Sequence, residues 1–82
     1  MRFFVLVVVM LASQAARADL LTAQAAYKSG DYQAAAREYR AMAELGNPIA
    51  QYDLAALYAN GQGVSRSELN AYAWASLAAA GG

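Results

Sequence analysis

The chain carries an internal echo. Residues 31–46 (DYQAAAREYRAMAELG) are matched 36 positions later by residues 67–82 (SELNAYAWASLAAAGG). Each stretch opens on a residue whose short polar side chain suits a helix N-cap and closes on a glycine fifteen positions on. Ala35 returns as Ala71, Ala43 as Ala79 and Gly46 as Gly82. A self-similarity of this period points to stacked helix pairs and away from one globular core, because each unit buries its apolar face only against its neighbours.

The local signals after residue 18 predict four helices. The first covers about Leu20 to Ser29, with Asp19 as candidate N-cap and Gly30 as stop. Asp31 caps the second, which ends before Gly46. Tyr32, Ala35, Ala36, Tyr39, Met42 and Ala43 follow the i, i+3, i+4, i+7 rhythm of a buried stripe. Gln33, Arg37, Arg40 and Glu44 fall on the opposite, wet side. The third helix starts at Pro48 behind the capping residue Asn47, since proline lacks only an N–H that the first turn leaves unpaired. It runs to about Asn60. Ala50, Leu54, Leu57 and Tyr58 make one apolar face and Ile49, Tyr52 and Ala56 another, so a helix sandwiched between neighbours is expected, with Gln51 and Asp53 turned to water. After the Gly61-Gln62-Gly63-Val64 loop, Ser67 caps the last helix, and no charged residue follows Glu68. Strand-forming alternation is absent outside the leader.

Residues 1–18 read as a signal peptide. Arg2 supplies positive charge, Phe3 to Ala12 is an unbroken apolar run, and Ala16-Arg17-Ala18 fits a small-x-small cleavage site. A helix of that run spans about 15 Å, roughly half the hydrocarbon thickness of a bilayer. Cleavage after Ala18 leaves residues 19–82, with four basic residues against six acidic ones and a net charge of −2. No basic patch stands out, which argues against nucleic acid. The chain has no Cys and no His, which excludes disulfides and thiolate or imidazole metal sites.

The residues Met42-Ala43, Gly46, Ala50-Gln51, Leu54-Ala55, Tyr58, Gly61-Gln62-Gly63-Val64, Ser67, Ala71, Trp74 and Ala78-Ala79 resemble the Sel-1-like repeat, a relative of the tetratricopeptide repeat. The match covers Ala43 to Gly82. Asp31 to Gly46 fits the second half of a preceding unit, and Leu20 to Gly30 fits its first half more weakly, with Tyr27 and Gly30 answering Tyr58 and Gly61. Ala55 stands where the family usually has Gly, Met42 where it has Ala and Ser67 where it has Asp. The resemblance implies an all-α fold: an α-solenoid of antiparallel helix pairs, with a divergent first unit at 19–46 and a second at 47–82. Such proteins are often exported in bacteria and act as adaptors or scaffolds.

On this reading Ala35, Ala43, Gly46, Ala50, Leu54, Tyr58, Gly61, Gly63, Ala71, Trp74 and Ala79 are structural. Small side chains let helix backbones approach closely. Trp74 fills the gap between the last two helices, or anchors a partner. In the related solenoids the first helix of each pair lines the concave surface. Here that face holds Leu21, Ala25, Ser29, Ile49, Tyr52, Ala56 and Asn60. Tyr52 reads either as a half-buried surface residue or as an aromatic suited to peptide capture.

Gly61-Gln62-Gly63 lacks the third glycine and flanking strand of a dinucleotide fingerprint. Ser29, Ser65, Ser67 and Ser76 have no histidine to act as base, and Lys28 reads as solvated. Glu38, Glu44, Asp53 and Glu68 are expected on wet faces without a shared cleft. The expectation is therefore a non-catalytic adaptor without cofactor or metal, periplasmic or secreted, whose partner is a protein or peptide. Two alternatives stand beside it: an inner-membrane protein with an uncleaved leader, and a truncated fragment of a longer array without independent function. About three units are usually needed to bury a repeat core and this chain offers roughly two, so the last helix is expected to continue into further units or to dock on another copy or a partner.

Overall fold

The computed structural model describes residues 20–82. The leader read at 1–18 and the Asp19 cap lie outside the described residues. Within them the chain is all-α: α1 (Leu20–Lys28), α2 (Tyr32–Glu44), α3 (Pro48–Asn60) and α4 (Glu68–Ala79). No described helix is long and apolar enough to cross a membrane.

Helix starts follow the capping chemistry of the sequence. The Asp31 carboxylate accepts from the Ala34 N–H at 3.2 Å. Asn47 Oδ1 accepts from the N–H groups of Ile49 and Ala50 at 2.9 and 3.1 Å. Ser67 Oγ accepts from the Asn70 N–H at 3.1 Å. Each interaction satisfies a donor that a helix start otherwise leaves unpaired. The four helix ends share one pattern: the N–H groups of Asp31, Asn47, Gln62 and Gly82 return to the carbonyls of Ala26, Met42, Leu57 and Leu77 at 2.9–3.1 Å. A glycine at positive φ (Gly30, Gly46, Gly61 or Gly81) sits just before each of these donors. The echo therefore slips at its end. The caps Asp31 and Ser67 are 36 residues apart, but the terminal glycine equivalent to Gly46 is Gly81, not Gly82, because α4 is one residue shorter than α2.

Each helix packs on the next: α1 on α2, α2 on α3 and α3 on α4. The end of α1 meets the start of α2, where the Tyr27 and Tyr32 rings lie 5.1 Å apart. Half of the ten-residue core cluster is alanine (Ala23, Ala35, Ala36, Ala43, Ala50), joined by Tyr39, Met42, Leu54, Leu57 and Tyr58. Leu54 and Leu57 are its largest fully buried side chains. Methyl-thin contacts let helix axes approach, and the few large side chains supply most of the buried apolar area. Val64, Ala71 and Trp74 pack against the edge of this cluster.

The loop after α3 is tied to the start of α2. Gly61 adopts a left-handed conformation as the C-cap of α3. Gly63, at φ +74°, lies so close to α2 that a Cβ there would fall on the Tyr32 carbonyl. Only glycine meets both demands.

Three expectations need correction. Gln51 is fully buried, its Nε2 donating to the Ala43 carbonyl at 3.0 Å, because α2 and α4 cover the side of α3 expected to be wet. Arg40 is half-buried and donates to the Tyr58 hydroxyl, with its guanidinium 5.7 Å from that ring's centroid. The second apolar face of α3 is not sandwiched: Ile49, Tyr52 and Ala56 are exposed.

Candidate functional site

Between α1 and α3 the structure opens a cleft of about 470 Å³. Helix α1 contributes Gln24 and, one turn further on, Tyr27 and Lys28. Helix α3 contributes Asp53, Ala56 and Leu57. Tyr39 reaches in from α2, and Gln62 closes the end beyond α3. Gln62 Oε1 accepts from the Tyr27 hydroxyl at 3.5 Å and from Asn60 Nδ2 at 3.4 Å, so one side chain links the ends of α1 and α3.

Asp53 and Tyr39 set the electrostatics. Burial pushes the Asp53 carboxyl up from its ordinary value, and hydrogen bonding with Tyr39 partly offsets this. Burial also raises the Tyr39 hydroxyl, helped by the nearby Asp53 charge, by hydrogen bonding with Asp53 and by Tyr27. Tyr39 is thus a neutral phenol near pH 7, able to donate. Among the described residues the ion pair within 4 Å is Arg66–Glu68, at 3.3 Å and largely exposed, and none involves Asp53. A surface pair of that kind contributes little.

A second, shallower groove of about 400 Å³ lies between α3 and α4. It is apolar and lined by Pro48, Ile49, Tyr52, Ala75, Ala78 and Ala79. The face expected from the sequence is therefore divided. Ala56 lines the first cleft and Ile49 and Tyr52 the second, while Leu21, Ala25, Ser29 and Asn60 are exposed but line neither. All seven of these residues are exposed.

Of the residues expected to be structural, Ala35, Ala43, Ala50, Leu54 and Tyr58 are buried. Gly46, Ala71 and Trp74 are half-buried, and Gly61, Gly63 and Ala79 are exposed. Ala79 faces the α3–α4 groove, and its neighbour Ala78 takes the more buried place.

Sequence reasoning missed the polar members of the first cleft and placed Asp53 in open water. A signal was present: Asp53 follows Ala50 by three and precedes Leu57 by four, which sets it at the edge of the buried face of α3. Chemically the cleft can accept hydrogen bonds and hold positive charge. One carboxylate beside a phenol forms no nucleophile–base pair of the usual kind. Among the described residues no group of three or more acidic, His or Cys side chains could hold a metal ion. No protein-family model matches the chain, and no curated protein or solved structure matches it.

Proposed function

We propose that this chain is an exported, non-catalytic adaptor of the Sel-1-like type: an α-solenoid of antiparallel helix pairs that holds a segment of a partner protein against α1 and α3. The observation that carries the reading is the open cleft between those helices, with exposed Ile49 and Tyr52 in the adjoining groove. A recess with both apolar and hydrogen-bonding walls suits a peptide better than a flat surface does. The leader at 1–18 directs export to the periplasm or the medium, and the exported protein begins at Asp19. An intact-mass measurement checks that terminus; retention of residues 1–18 would shift the reading to an inner-membrane protein.

The test of the adaptor role is site-specific photocrosslinking in cells. A photoreactive side chain at Ala56 or Tyr52 is expected to capture a discrete partner, while the same group at Arg37 or Glu44, on the outer side of α2, captures none. Equal labelling from all four positions, or none from any, overturns the reading. A second reading has its own observation. Helix α4 leaves Leu69 78% and Tyr72 75% exposed, which fits packing on another copy or on a partner. Sedimentation velocity separates the two: Leu69→Glu shifts the distribution toward monomer only if α4 forms an interface between copies.

A further inference from the structure

We propose that the α1–α3 cleft captures a positively charged side chain, the ammonium of lysine or the guanidinium of arginine, presented by a peptide segment, with the Asp53 carboxylate as its counter-ion. This rests on the peptide-binding reading above and names the chemistry that would be recognised.

The cleft holds a carboxylate without a matching cation. Asp53 is half-buried at the wall of a recess of about 470 Å³ and has no cationic partner within 4 Å among the described residues. A partly dehydrated carboxylate without a counter-charge is a cost to the fold. Burial raising its protonation range is the same cost in another form. A cation entering the recess removes it, and the low-dielectric walls of Ala56 and Leu57 strengthen the attraction relative to open water.

The remaining lining suits such a guest. The Gln24 amide can accept a hydrogen bond from an ammonium or guanidinium. Tyr27 lines the same opening, and an aromatic ring beside a cation adds to its binding where the face of the π system is presented. Tyr39, a neutral phenol in the same lining, supplies no positive charge to offset the carboxylate. Lys28 is the single lining residue of opposite character. It is exposed and makes no ion pair with Asp53, so it acts at the rim as a competing charge. The proposal therefore makes opposite predictions for two residues of one cleft: loss of the Asp53 charge weakens binding, and loss of the Lys28 charge tightens it.

The experiment is a titration of the exported, isotope-labelled full chain followed by its backbone amide resonances. The probes are blocked heptapeptides Ala-Gly-Ala-X-Ala-Gly-Ala in which X is lysine, arginine, acetyl-lysine or glutamine. Lysine and arginine peptides are expected to shift the resonances of Gln24, Tyr27, Asp53 and Gln62 with about fivefold tighter binding than acetyl-lysine or glutamine peptides, the scale of one partly exposed ion pair. Asp53→Asn abolishes that preference, Asp53→Glu retains it, and Lys28→Gln increases it. Equal binding of all four peptides overturns the proposal, as does a preference that survives Asp53→Asn, or no binding at all. Butylammonium binding as tightly as the lysine peptide overturns the peptide source in favour of a free amine. Should Asp53→Asn disturb the fold, the exposed Lys28→Gln still decides, since unchanged or weaker binding there contradicts the proposal. The adaptor reading is judged separately: crosslinks from Ala56 that persist in Asp53→Asn leave it standing while the cation proposal falls.

Discussion

Helices α3 and α4 are nearly equal in length, at 13 and 12 residues, and both are mainly apolar, yet α3 buries Ala50, Gln51, Leu54, Ala55, Leu57 and Tyr58 whereas α4 buries no residue fully. The difference lies in their neighbours. Helix α3 lies between α2 and α4, while α4 packs on α3. Composition alone does not decide burial in a stack of helices; the number of covered faces does. A glutamine enters the interior of α3, and a leucine, Leu69, stays on the surface of α4.

The sharpest test of that contrast is a pair of identical changes. Leu54→Ala removes a fully buried side chain and is expected to cost about 3 kcal/mol in urea denaturation. Leu69→Ala, on the open side of α4, is expected to change stability by less than about 0.5 kcal/mol. A large loss at Leu69 would break the comparison and show that α4 is covered in solution. Next in size is the loop joining the two helices. Gly63→Ala is expected to cost about 2 kcal/mol or more, since it combines left-handed strain with a Cβ driven onto the Tyr32 carbonyl. Gly61→Ala meets the Arg66 Cβ at 3.2 Å and is expected to cost about 1 kcal/mol. Equal effects at the two glycines would mean that the loop does not press on α2.

The smallest expected effect concerns Asp53, where α3 is only partly covered. Its pKa is raised in the folded chain, so the folded state holds the proton more tightly than the unfolded state. Stability from this group is full below the ordinary aspartate range and is lost as pH rises through the folded value. Asp53→Asn is expected to melt at or above the parent temperature at neutral pH, with the advantage vanishing in acid. A variant that melts lower at neutral pH and equally in acid would reverse the sign and argue that the charge is well solvated.

Much of the helix framework was legible in advance. Asp31, Asn47 and Ser67 cap the helices they were expected to cap, and the boundaries of α2, α3 and α4 follow. Capping and glycine stops act within a few residues, so their chemistry is local and readable. The buried stripe of α2 was legible for a related reason: it carries charge opposite its apolar side, and five of its six expected positions are buried, with Tyr32 half-buried. Helix α3 lacked that contrast. Apolar all round, it left open which face would be covered, and Gln51 and Asp53 were both assigned to water. The candidate site was only partly legible, through Ala56, because its other walls come from four separate segments brought together by packing.

The amino-acid sequence alone determined where helices begin and end, since a side chain meets its own backbone three residues away regardless of the rest of the fold. It also placed alanine at half of the positions of the core cluster. Only the tertiary structure decided which face of α3 is shared with α1, that Tyr39 and Asp53 line one cleft from different helices, and that Gln51 seals the end of α2. Those outcomes depend on the angle and register at which whole helices pack, and the interactions that set them join residues distant in the chain.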